Sequence, residues 1–76
     1  MTLHAPSYWL LNGTPVRVTL DAQGVRIAER LDPRTRRWVE RATLQAEILY
    51  GEWVDEVSEE EFQAAVDEIM RQGGEA

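Results

Sequence analysis

Two segments in the first half of the chain alternate between apolar and polar residues, the pattern of half-buried strands. They cover residues 14–20 and 25–31, and Asp21-Ala22-Gln23-Gly24 between them is typical of a turn. A register that pairs Leu20 with Val25 brings the apolar residues of both strands to one face, so we expect that register. The predicted faces are Val16, Val18, Leu20, Val25 and Ile27 on one side and Arg17, Thr19, Arg26, Ala28 and Arg30 on the other.

Further strands are predicted on both sides of this hairpin. Residues 8–11 form a short apolar run followed by Asn12-Gly13, which is the strongest dipeptide signal for a two-residue hairpin turn. After the hairpin, Asp32-Pro33 favours a type I turn, and residues 37–41 can return as another strand. We therefore predict an antiparallel meander of three or four strands over residues 8–41.

The second half of the chain changes to a helical period. Ser58 and Glu61 have the spacing of a capping box, which predicts a helix over residues 58–72. Gly73-Gly74 terminates this helix and begins a tail at residues 73–76. Because its apolar residues recur three and four positions apart, we expect the helix to pack on the apolar face of the sheet. Those residues are Phe62, Ala65, Val66, Ile69 and Met70.

Residues 43–50 fit two structures. As a helix capped by Thr43, the segment aligns Leu44 with Ile48. As a strand, it places on one face Leu44, Ala46, Ile48 and Tyr50. Helix-forming residues fill the segment and favour a short helix. Together these elements predict one α+β domain over residues 1–76, in which residues 1–7 are flexible.

The composition excludes most kinds of active site. The chain has 76 residues and no Cys, so thiolate metal sites and cysteine nucleophiles are absent. Its single His, His4, and its two Ser, Ser7 and Ser58, have no plausible catalytic partner in the sequence pattern. We therefore expect no enzyme activity, no catalytic residue, no metal and no cofactor.

The absence of a signal-peptide pattern and of a long apolar run predicts a cytoplasmic protein that does not bind membranes.

Charge is segregated along the chain. Residues 17–41 contain seven arginines and four acids, a balance of +3, whereas residues 42–76 contain ten acids and one arginine, a balance of -9. An acidic surface attracts a basic partner, so the sequence predicts a protein-interaction module. One form of this hypothesis is an inhibitor or regulator of a nucleic-acid-handling complex, such as a phage or plasmid antagonist, whose carboxylates imitate phosphates. The predicted partner-binding residues are Glu52, Asp55, Glu56, Glu59 and Glu60.

Three other interpretations of the charges stay open. The two charge groups can simply neutralise each other across the fold. Arginines beside an aromatic ring suit single-stranded nucleic acid, although a net charge of -6 repels a polyanion and makes this binding less expected. The protein can also be a non-catalytic accessory subunit of an enzyme complex. The nucleic-acid face would comprise Arg17, Arg26, Arg30, Arg37 and Trp38.

Tyr8 and Trp9 are adjacent in a predicted strand, so their side chains point to opposite faces of the sheet. If only one face is covered by the helix, one of the two aromatics is exposed and anchors an interface. The sequence therefore also predicts a homodimer, formed through that surface or by edge pairing of the strand at residues 8–11.

Overall fold

The computed structural model describes residues 3 to 73, which form an antiparallel five-stranded sheet and two helices. The strand order is β4-β3-β2-β1-β5. The predicted α+β class, the meander and the helix at residues 43–50 are confirmed, and the sheet has one strand more than expected. The elements are β1 Ser7–Leu11, β2 Thr14–Leu20, β3 Arg26–Leu31, β4 Trp38–Glu40, α1 Leu44–Tyr50, β5 Val54–Val57 and α2 Glu59–Gly73.

The additional strand, β5, pairs with β1, the first strand of the meander, and not with β4, the strand that precedes it in the chain. Tyr8 lies opposite Val57 and Leu11 lies opposite Val54. The sequence Val-Asp-Glu-Val has no period of two, because its acidic residues are adjacent, so the alternation test does not detect it. Since β1 has a partner on each side, the predicted homodimer through edge pairing of residues 8–11 is wrong.

The register of the β2–β3 hairpin also differs from the expected one. Val18 lies opposite Ala28, and Leu20 lies opposite Arg26. Asp21 closes a three-residue loop, since its N–H donates to the Val25 carbonyl at 2.9 Å and its side-chain oxygen accepts the Val25 N–H at 2.9 Å. A type I turn followed by a left-handed Gly24, with φ of 79°, is a common hairpin loop of this length. The predicted pairing of Leu20 with Val25 would need a loop one residue longer.

The shifted register gives the sheet two hydrophobic faces. Val16, Val18 and Ala28 lie on the face that α1 covers, where they pack with Leu44 and Ile48. We expected α2 on this face, and that expectation is wrong. On the opposite face, Phe62 and Val66 of α2 pack with Leu31 of the sheet and form a second core. The partly buried residues around this core are Tyr8, Trp38, Val57 and Ile69.

Because both faces are covered, Tyr8 and Trp9 both point into hydrophobic cores. The Tyr8 ring lies 4.8 Å from the Phe62 ring between centroids, on the α2 face. Trp9 packs on the α1 face, and its Nε1 donates to the buried Ser7 hydroxyl at 2.8 Å. The premise that one of these aromatics lies on an open sheet face is therefore wrong.

The termini of the two helices follow different rules. The capping box of α2 is confirmed, since the Glu61 N–H donates to Ser58 Oγ at 3.1 Å and the Ser58 N–H donates to Glu61 Oε1 at 3.3 Å. Thr43 makes no side-chain cap bond to α1, so this seven-residue helix depends on the burial of its apolar residues.

The segment before β1 is packed on the sheet where the structure describes it. Leu3 is 6% exposed and belongs to the core under α1, and Ser7 begins β1. The flexibility predicted for residues 1–7 stays a prediction, although the packing of Leu3 and the start of β1 at Ser7 place part of this segment on the sheet. Its first two residues, and residues 74–76 of the predicted tail, lie outside the described residues.

Candidate interaction surface

Strand β5 is an edge of the sheet, and the hydrogen-bond pattern determines which of its backbone groups face outward. Next to β5, the Asn12 N–H donates to the Trp53 carbonyl at 2.6 Å, so Asn12 and Trp53 form a hydrogen-bonded pair. Hydrogen-bonded and non-hydrogen-bonded pairs alternate along an antiparallel ladder. Every second residue after Trp53, which means Asp55 and Val57, therefore directs its N–H and C=O groups toward β1. Val54 and Glu56 therefore direct theirs away from the sheet.

The five residues of the predicted acidic surface surround this edge, and all are exposed. Glu52 precedes β5, and Glu59 and Glu60 lie in the first turn of α2. Within β5, the alternation of the strand places Asp55 on the α2 face of the sheet and Glu56 on the α1 face. The structure thus brings the predicted residues together along one edge and onto both of its sides.

These carboxylates have little charge compensation from the rest of the protein. Across residues 3–73 there are three ion pairs, and among the five acids only Glu56 takes part in one, with His4 at 2.9 Å. The arginines of the β3–β4 loop lie at the opposite edge, about 19 Å away by four inter-strand spacings. The ion pairs do not support the interpretation that the sheet arginines neutralise the acidic segment.

Two exposed aromatic residues lie in the chain immediately before β5. Tyr50 is 80% exposed and Trp53 is 72% exposed, although aromatics of this size are usually at least half covered. The sequence analysis named neither residue as a candidate anchor, because Tyr50 lies in the segment at 43–50 that fitted two structures and Trp53 lies outside every predicted element. Their position was the available signal, because Tyr50 is the last residue of a short helix and Trp53 lies in the connection that follows it.

The structure divides the predicted nucleic-acid face between the two sides of the sheet. Arg17 lies on the α2 face, where its guanidinium pairs with Glu29 at 3.0 Å and lies 3.9 Å from the centroid of the Trp38 ring. Arg26 and Arg30 lie on the α1 face with buried Nε atoms, and Arg37 is exposed in the β3–β4 loop. Arg17 and Trp38 are thus in contact with each other, but they do not share a surface with Arg26 and Arg30.

Two cavities lie beside the helices, and one of them borders the acidic residues. This cavity, of about 380 Å³, lies beside α2 over Arg17 and Glu29, and Glu59 is among its walls together with Tyr8 and Phe62. The other, of about 190 Å³, lies beside α1 and is lined by six residues. Those residues are Leu11, Thr14, Arg30, Arg41, Leu44 and Glu47.

Metal-ligand clusters and shifted pKa values are two features that can mark a reactive site. Within residues 3–73, no three His, Asp or Glu side chains cluster so as to hold a metal ion. The backbone N–H of Arg34 donates to Asp32 at 2.8 Å and lowers the pKa of that carboxyl below its usual range. This bond belongs to the β3–β4 turn, so the pKa shift reflects turn structure and not a reactive site.

In the part of the chain that the structure describes, no helix has the length and apolar character needed to cross a membrane. The chain was compared with family models, with curated proteins and with solved structures, and none of these comparisons found a match.

Proposed function

We propose that this protein is a non-enzymatic interaction module that binds a basic protein partner through the acidic edge, defined as β5 with Glu52, Asp55, Glu56, Glu59 and Glu60. The observation that carries the proposal is the concentration of these exposed carboxylates at one sheet edge, with the His4 side chain as the only partner in an ion-pair contact to any of them within residues 3–73. Such a surface produces a negative potential that attracts Arg and Lys side chains.

The exposed aromatics add binding energy to this electrostatic attraction. Trp53 follows Glu52 in the chain and Tyr50 ends α1, and both offer exposed apolar area that a partner can cover. Interfaces combine a few aromatic anchors with a polar rim, and the charged rim mainly accelerates association and selects the partner. We therefore assign partner selection to the carboxylates and much of the affinity to Trp53.

The class of partner that fits best is a protein with a basic groove for nucleic acid. Such a groove presents closely spaced Arg and Lys side chains to the phosphates of the nucleic acid. The carboxylates on both sides of β5 can occupy the positions of those phosphates. Binding there would exclude the nucleic acid, which makes the protein an inhibitor or regulator of a nucleic-acid-handling complex. A phage or plasmid antagonist is one protein of this type.

The test begins with affinity purification from the native cell, followed by titration of the purified partner. Replacing Asp55→Lys and Glu56→Lys together should weaken binding at least tenfold, which is about 1.4 kcal/mol, because two attractions become repulsions. The matched control is Glu40→Lys with Asp67→Lys, which makes the same change in net charge on exposed residues outside the acidic edge. We expect the control to change affinity less than twofold.

Two further measurements define the outcome. Affinity should fall between 50 and 200 mM salt, and excess DNA or RNA should displace the protein from its partner. The proposal is overturned if the partner is not basic, or if the control pair weakens binding as much as the β5 pair does. Simultaneous binding of nucleic acid and this protein would refute the inhibitor form of the proposal.

A further inference from the structure

We infer that the acidic edge binds its partner by β-strand addition: an extended basic segment pairs with the outer side of β5 and becomes a sixth strand. This inference rests on the proposed function and specifies how the same surface is used. It predicts the backbone atoms that bind the segment and the residue pattern of the segment.

The backbone of β5 offers four outward groups to such a strand. The Asn12 to Trp53 bond fixes the alternation, so the N–H and C=O of Val54 and Glu56 point away from β1. An antiparallel strand that pairs with these two residues forms four hydrogen bonds without disturbing the existing ladder. The β1–β2 ladder leads to the same result. The two-residue turn at Asn12-Gly13 makes Leu11 and Thr14 a hydrogen-bonded pair, so Leu11 directs its N–H and C=O toward β2 and the next residue of β1 directs them toward β5.

The side chains of β5 specify a pattern in the bound segment. Residues directly opposite each other on adjacent strands point to the same face and interact. Asp55 and Glu56 are neighbours that point to opposite faces, so each selects a basic residue across from it; Val54 and Val57 select apolar residues. The segment therefore has the order apolar, basic, basic, apolar, and its two basic side chains lie on either side of the sheet.

Charge complementarity makes a basic segment a better occupant than a second copy of this chain. Pairing two copies of β5 would place carboxylates opposite carboxylates, and like charges directly opposite destabilise a strand pair. Charged residues on an edge strand are a known means of preventing self-association. The same carboxylates thus oppose dimerisation through β5 and favour a strand that carries Arg or Lys.

The first experiment uses the wild-type chain and two capped synthetic peptides at low salt, observed by NMR of the backbone amides. The probe is Thr-Val-Arg-Arg-Val-Thr, and the control is Thr-Arg-Val-Val-Arg-Thr, which has the same composition and charge. Addition of the probe should shift the Val54 and Glu56 amide protons downfield and slow their exchange. Asp55 and Val57 should respond less, because their N–H groups already bond to β1. We expect the control peptide to bind about threefold to tenfold more weakly.

The second experiment separates the backbone donor from the carboxylate. Glu56→Ala removes the carboxylate alone, whereas Glu56→Pro also removes the outward N–H, which is tolerated on an edge strand because that N–H has no partner in β1. The proline variant should bind the probe about fivefold more weakly than the alanine variant, the effect of one lost hydrogen bond. Circular dichroism checks that both variants are folded, and the wild-type NMR result stands if the proline variant is not.

The outcomes distinguish this inference from the proposed function. If both peptides bind equally while the Val54 and Glu56 amides are unchanged, strand addition is overturned and a surface electrostatic contact remains. If neither peptide binds, strand addition is again overturned. In that case, a basic partner that still binds through the carboxylates preserves the proposed function, and the absence of such a partner overturns both.

Discussion

A double-mutant cycle tests whether the sheet has a separate core on each face. Tyr8 and Trp9 are adjacent in β1, yet only Tyr8 contacts Phe62, at 4.8 Å between ring centroids. Phe62 is 4% exposed, so replacing it with Ala would cost about 3 to 5 kcal/mol, comparable with the whole stability of a domain of this size. Phe62→Leu retains most of the apolar volume and keeps the chain folded for measurement.

The coupling energies follow from the contacts. An aromatic pair contributes about 0.5 to 1.5 kcal/mol beyond its buried area, so Phe62→Leu and Tyr8→Leu should be coupled by about that amount. Trp9 lies on the other side of the sheet, and its replacement by Leu should be additive with Phe62→Leu to within about 0.5 kcal/mol.

Urea denaturation followed by far-ultraviolet circular dichroism measures both cycles without relying on tryptophan fluorescence, which the Trp9 variant alters. The three single variants and the two double variants must show the same denaturant dependence as the wild type for the cycles to be valid. Coupling of Phe62 to Trp9 as large as that to Tyr8 would place both aromatics in one core and contradict the two-core fold.

Two further predictions concern local structure. Ser58→Ala should lower the free energy of unfolding by about 1 kcal/mol, measured in urea, because it removes the oxygen that accepts the Glu61 N–H; no loss would mean that the cap does not form in solution. Asp32→Asn should lower the melting temperature at pH 7, because the pKa of Asp32 is lowered by folding and its charged form stabilises the native state above the unfolded pKa. That difference should disappear as the pH falls through the folded pKa, and a difference that grows in acid would contradict the assignment.

Local patterns in the sequence predicted the elements whose signals are contained within a few residues. The capping box at Ser58, the Asn12-Gly13 turn and the alternation of residues 14–20 all specify structure through near neighbours. The charge segregation predicted an acidic surface, because its five carboxylates lie within nine consecutive residues, but it did not predict that these residues adjoin a sheet edge.

Features that depend on distant contacts were not predictable in this way. Strand β5 is defined by its pairing with β1, more than forty residues earlier, and not by its own alternation. The register of the β2–β3 hairpin depends on the Asp21 side chain, which closes a loop one residue shorter than the apolar pattern suggested. The second core was hidden because Leu31, Trp38 and Val57 come from three separate strands.

The pairing of β1 with β5 also imposes an order on how the molecule can assemble. Hairpins between consecutive strands close quickly, since their residues are near in sequence, whereas joining β5 to β1 requires closing a loop that contains β2, β3, β4 and α1. Until the ribosome has released that last strand, one side of Ser7–Leu11 is unpaired, in addition to the outer side of β4. We therefore expect the nascent chain to expose, for pairing with a foreign chain, a side of β1 that the finished fold covers with β5.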